Sequence, residues 1–89
     1  MFRNPIAPGH SQTFSTTQGP GFLNIVNPND TAGEYSIAFD GELPTTYRIP
    51  SGGEKPYKMP KGQTAVVTNL GPYTLDAEFA TVQDGAGGE

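Results

Sequence analysis

Cysteine is absent from this chain of 89 residues, and histidine occurs once, at His10. The first absence removes disulfides as a source of stability; together they leave no zinc set of the usual Cys/His kind. Charge is also sparse. Only 16% of residues are charged, and the five basic ones (Arg3, Arg48, Lys55, Lys58, Lys61) are outnumbered, for a net charge of −4. Phosphate contacts require clustered Lys and Arg, so nucleic acid is not an expected partner. No apolar run approaches the roughly 18 residues of a membrane-spanning helix, and the N-terminus lacks a basic segment followed by an apolar one, so neither a membrane partner nor a secretory leader is expected. Apolar residues at helical spacing are likewise missing over any useful length.

What the chain does contain is short alternating runs separated by turn formers, with 12 glycines and 9 prolines. Glu34–Phe39 places Tyr35, Ile37 and Phe39 on one face, and Asp40-Gly41 follows at once, a strong signal for a turn that needs positive φ at both central residues. Leu43, Thr45, Tyr47 and Ile49 carry the alternation onward. Phe22–Asn27 is apolar on both faces apart from Asn24, which suits a strand in the middle of a sheet. Gln12–Thr17 reads as an edge strand, and Glu54–Pro60, bounded by Pro56 and Pro60, as a short one. Gln63–Asn69 reads as an interior strand, and Tyr73–Val82 as one with a buried and a wet face. The alternation assigns Tyr35, Tyr47 and Tyr73 to the core and leaves Tyr57 as an exposed contact. The expected fold is all-β: a small antiparallel β-sandwich or jelly-roll-like barrel of about seven short strands.

Three regions follow. Residues 1–11 contain Pro5, Pro8 and Gly9 and read as an extended N-terminal arm; residues 12–83 form the sandwich; residues 84–89 have the composition of a flexible Gly-rich tail. A domain of this size buries only roughly 60–65% of the surface its unfolded chain exposes. With neither disulfide nor metal to help, association with other subunits is the remaining way to gain stability.

The catalytic inventory is short. His10 lies in the proline-bounded arm, remote from any nucleophile and acid pair. Ser51-Gly52-Gly53 lacks the lysine and the strand-to-helix setting of a phosphate cradle. Asp40 with Glu42, and Asp76 with Glu78, have the two-residue spacing of acids on one strand face, which solvated side chains explain as well as glycoside chemistry does. Asn27, Asn29, Asp30 and Glu34 offer oxygens to calcium without the spacing of a known loop.

These observations point away from an enzyme and from any cofactor or metal. They point toward a structural part of a larger assembly: a decoration, cement or minor capsid protein of a viral (phage) particle, oligomeric or assembly-bound, and located in the virion. The arm supplies the expected contact, through Phe2, Arg3, Pro5, Ile6 and Pro8, with Asn29, Asp30, Tyr57 and Lys58 as further loop and edge contacts. The alternative is a small carbohydrate- or receptor-binding β-sandwich module acting outside the cell through loops such as Asn27–Gly33.

Overall fold

Phe2–Ile6 (β1), Ser11–Ser15 (β2), Gly21–Val26 (β3), Gly33–Phe39 (β4), Thr45–Ile49 (β5), Glu54–Met59 (β6), Thr64–Gly71 (β7) and Leu75–Thr81 (β8) are the strands of the computed structural model, which describes residues 2–82. Among the described residues there is no helix. The strands form two four-stranded antiparallel sheets, ordered β1-β8-β3-β6 and β2-β7-β4-β5. The pairs β1/β8, β2/β7, β3/β6 and β4/β5 show how the chain reaches that order. It is one long antiparallel hairpin, turned at its middle and rolled up, which is the jelly-roll topology. The sandwich expected from the sequence is therefore present, with eight strands where about seven were expected.

The turn at the middle is the one that Asp40-Gly41 signalled. Both residues have positive φ, 52° and 78°, and Glu42 N–H donates to Phe39 O at 2.9 Å. Asp40 also fastens the turn sideways: its carboxylate accepts from Thr64 N–H at 3.0 Å, and its own N–H donates to Thr64 O at 2.8 Å. The return strand begins only at Thr45, so Leu43 stands 90% exposed outside the ladder.

The additional strand is β1, and it corrects the reading of residues 1–11 as an arm. Phe2 to Ile6 lies opposite Phe79 to Leu75 in continuous antiparallel register. Ile6 is 1% exposed within the protein's own core, in one buried cluster with Leu23, Leu75 and Ala77 of the same sheet. Pro5 had suggested an extended arm, and in fact the extended segment pairs as an edge strand, where a missing amide donor can face away from the neighbour. Pro56 occupies the equivalent edge strand β6, as expected from its composition. The sandwich thus begins at Phe2 rather than at residue 12. The glycine-rich segment 84–89 lies outside the described residues.

The two sheets close on each other through Phe14, Tyr35, Ile37, Ile49 and Val67 from one side and Ile6, Leu23, Ile25, Met59 and Leu75 from the other. Aromatic contacts span the gap: the rings of Phe14 and Phe79 lie 5.2 Å apart, those of Phe39 and Tyr57 5.9 Å. The Tyr35 and Tyr57 hydroxyls meet at 2.5 Å, and burial pushes both phenols up from their ordinary pKa. The shared hydrogen bond gives each of the two phenol tips a polar partner, one hydroxyl donating and the other accepting.

This rolled topology sends the loops to two ends. Residues 7–10, 27–32, 50–53 and 72–74 connect strands at one end, and residues 16–20, 40–44 and 60–63 at the other. Two different surfaces result.

Candidate interaction surfaces

At the four-loop end, three asparagines organise the backbone. Asn27 is fully buried; its Nδ2 lies 2.9 Å from Thr31 O, 3.1 Å from Ile49 O and 3.2 Å from Pro50 O, and its Oδ1 accepts from the backbone N–H and the Nδ2 of Asn29, both at 2.9 Å. Asn29 Nδ2 also donates to Thr74 O at 2.8 Å. Asn69, fully buried as well, donates through Nδ2 to Ile6 O at 2.7 Å and to Tyr73 O at 2.8 Å, while its Oδ1 accepts from Gly71 N–H at 2.7 Å. Short amide side chains are suited to this work because each offers two donors and an acceptor to loop backbone that has no ladder partner. Segments 27–31, 49–50 and 69–74 are in this way tied into one unit.

Above that unit lies a shallow depression of about 260 Å³ lined by Asn29, Asp30, Thr31 and Tyr73. A second, of about 410 Å³, is lined by Ala32, Gly33, Glu34, Arg48, Leu70, Gly71 and Pro72. Both walls run on from one to the other: 29–31 into 32–34, and Tyr73 into 70–72. Tyr73 is 53% exposed, contrary to its expected place in the core, as is Tyr47 at 39%. The cause for Tyr73 is local. The strand starts at Leu75, so Tyr73 belongs to the preceding turn and the pleat does not set its direction. Of the loop oxygens weighed for calcium, Asn27 Oδ1 is taken up by two hydrogen bonds from Asn29, and no group of three or more His, Cys, Asp or Glu side chains placed to hold a metal occurs among the described residues.

The other surface is the outer face of sheet β1-β8-β3-β6 toward the opposite end. There Pro20, Gly21, Phe22, Lys58, Met59, Pro60, Ala80 and Val82 line an open groove of about 540 Å³ whose exposed surface is almost wholly apolar. Pairing explains its composition. Phe22 stands opposite Lys58 on β6 and Ala80 on β8, so the small Ala80 leaves Phe22 only half-buried and Lys58 stands at one rim of the groove. The sequence had marked Phe22 only as part of a two-sided apolar strand.

Farther along the same face the surface turns polar. Arg3 Nε donates to Glu78 Oε2 at 2.8 Å, and its Nη1 lies 3.5 Å from Asp76 Oδ2. Asn24 Nδ2, between two carboxylates, donates to Glu54 at 2.8 Å and to Glu78 at 3.2 Å. Hydrogen bonds from Arg3 and then from Asn24 hold the Glu78 carboxyl below its usual range, and Glu78 in turn raises the Arg3 guanidinium. Glu78 is thereby held as a carboxylate, and the Arg3 contacts to Glu78 and Asp76 clamp β1 to β8.

The remaining expected contact residues are scattered. Arg3 and Ile6 are engaged within the sheet and its core, and Pro5 is exposed on the β1 edge opposite Asp76. Pro8 is exposed in the loop after β1. Phe2 pairs with Phe79 in register. Asn29 and Asp30 meet at the loop end, Lys58 lines the apolar groove, and Tyr57 turns inward to Tyr35.

No family model matches the chain, and no characterised protein matches it in sequence. Two solved structures are similar in fold. One is a family 115 4-O-methyl-α-glucuronidase with specificity for decorated arabinogalactans: TM-score 0.58, 14% identity, 91% of this chain and 14% of that one covered. The other is an exo-β-1,3-galactanase from Phanerochaete chrysosporium with galactose: TM-score 0.50, 16% identity, 82% of this chain and 21% of that one covered. At such identities the likeness is one of fold alone, and this chain spans no more than about a fifth of either neighbour's length.

Proposed function

We propose that this protein is a non-enzymatic structural part of a larger protein assembly, seated on a neighbouring subunit through the apolar groove around Phe22. The carrying observation is that groove: Pro20, Phe22, Pro60, Ala80 and Val82 offer a continuous apolar surface floored by the buried Met59, with one cationic rim residue, Lys58. Its occupant is an apolar segment of the neighbour carrying an acidic residue for Lys58. Water leaves both apolar surfaces when they meet, and the charge on the rim fixes orientation. This seat replaces the N-terminal arm, whose Ile6 is already used inside the fold.

Supporting considerations are general. Jelly rolls serve widely as capsid and lectin domains. Both fold neighbours hold the same architecture as a minor fraction of a longer chain, so the fold suits life as a part among parts. Their activities on polysaccharides are not transferred here, because fold does not fix function. The assembly proposed is a viral particle, in which this chain acts as decoration, cement or minor capsid protein.

The test is co-expression with the products of the flanking genes, followed by sedimentation of the resulting particles. Wild type should co-sediment. Phe22→Asp should be lost from the particle fraction while keeping its β-rich circular dichroism and melting behaviour, since withdrawing about 1–2 kcal/mol of apolar burial and adding a desolvated charge both weaken the seat. Equal co-sedimentation of the variant, or no co-sedimentation of wild type with any of these products, would overturn the proposal.

A further inference from the structure

The four-loop end carries a second binding surface, on a part of the molecule that the groove does not use and independent of the assembly proposal. We propose that the depression formed by Asn29, Asp30, Thr31 and Tyr73, continued by Glu34, Arg48 and Leu70, binds a neutral saccharide.

Three features of the geometry lead there. The first is the platform. Tyr73 is 53% exposed, and no other ring stacks on it among the described residues, so a face of the phenol is open to solvent. The C–H-bearing face of a pyranose is the apolar side of an otherwise hydroxyl-covered molecule, and it stacks on such a ring with little cost to its own hydration.

The second is the polar fringe. Asp30 is exposed, and among the described residues its carboxylate meets no hydrogen-bond or ion-pair partner. Asn29 spends both its amide hydrogens, on Asn27 and Thr74, which leaves its Oδ1 as an acceptor at the rim. The Thr31 backbone oxygen is held from below by Asn27, and the Thr31 hydroxyl belongs to the same lining. Acceptors thus predominate around the ring. A carboxylate takes hydrogens from two adjacent hydroxyls at once, which is the pattern a vicinal diol presents. The sign of the charge selects further: Asp30 and Glu34 outweigh Arg48 by one negative charge in the lining, on a chain of net charge −4, so a uronic or sulfated sugar is disfavoured against a neutral one.

The third is rigidity. The backbone oxygens of the two consecutive residues at the platform, Tyr73 and Thr74, are gripped by different asparagines, Asn69 at 2.8 Å and Asn29 at 2.8 Å. Ser51 Oγ adds a bond to Asn29 O at 2.7 Å. The loops are therefore ordered before any ligand arrives, so little ordering cost falls on the weak contacts that a sugar makes. The adjoining 410 Å³ depression gives room for a second ring along Glu34 and Arg48.

The experiment is amide chemical-shift mapping of the whole chain with galactobiose, cellobiose, xylobiose and mannobiose as neutral probes and digalacturonic acid as the acidic one, each titrated to about 10 mM, since single-site sugar contacts fall near the millimolar range. At least one neutral disaccharide should shift amides of 29–34 and 70–74 and leave the Phe22 groove unmoved. Tyr73→Ala should weaken that binding at least about tenfold with the rest of the spectrum retained. Asp30→Ala, an exposed loop change that keeps the fold, should weaken it about fivefold and decides the matter should the tyrosine variant lose its spectrum. No shifts with any neutral probe, shifts centred elsewhere, undiminished binding by both variants, or tighter binding of digalacturonic acid would each overturn the assignment.

Discussion

Single residues in this protein divide sharply into those that alternation explains and those set by a loop. Tyr35, Ile37, Leu23 and Ile25 sit where a period of two puts them, because a strand pleat leaves no choice of face. Asn27 and Asn69 gave no such signal. Each is fully buried for the sake of backbone oxygens up to 63 positions away in sequence, a demand that no local pattern reports. Tyr47 and Tyr73 are the converse: sequence alternation points both inward, yet Tyr47 lies on an edge strand and Tyr73 in the turn before β8, and both stay exposed. The Arg3–Glu78 pair is likewise nonlocal, and it has a measurable consequence. Because the folded carboxyl is held below its unfolded value, its contribution to stability is fully present above the ordinary glutamate pKa of about 4.3 and is lost as pH falls through the lowered folded value. Thermal melts between pH 6 and pH 2.5 should show wild type losing more of its melting temperature than Arg3→Met does. Parallel acid profiles would mean that the pair contributes nothing.

Elements show where local reading failed and why. Seven of the eight strands lie close to their expected places, since turn formers bracket them and apolar alternation fills them. The Asp40-Gly41 turn has the expected positive φ values. β1 escaped because Pro5 and Pro8 resemble an extended linker, and only its partner, 69 to 77 residues downstream, makes it a strand. The practical effect is a reversal. An arm could be removed without harm to the domain, whereas deleting residues 1–11 here strips an edge strand, exposes β8 and empties the Ile6 site. The truncated chain should be unfolded or aggregated by circular dichroism and gel filtration, and Ile6→Ala alone should cost about 2–5 kcal/mol in urea melts. A truncated protein that keeps a cooperative melt near that of wild type would show that β1 is dispensable.

For the molecule as a whole, composition fixed the class but not the roll. That β1 closes on β8, β2 on β7 and β3 on β6 depends on contacts between distant segments, and those decide which loops share an end. The candidate surfaces inherit this nonlocality. Asn29 and Asp30 were legible as a loop, but their meeting with Tyr73 was not; Lys58 was legible as an edge residue, but Phe22 and Ala80 beside it come from two other strands. The central proposal is that the apolar groove, and not the N-terminal segment, seats this protein on a neighbour. Hydrogen exchange measured on the chain alone and in its assembly tests that most directly. Slowed exchange at residues 20–22, 58–60 and 80–82, with residues 2–6 already protected in the free chain, is the expected result. Unchanged exchange in those three segments, or protection gained on assembly only within residues 2–11, would contradict it.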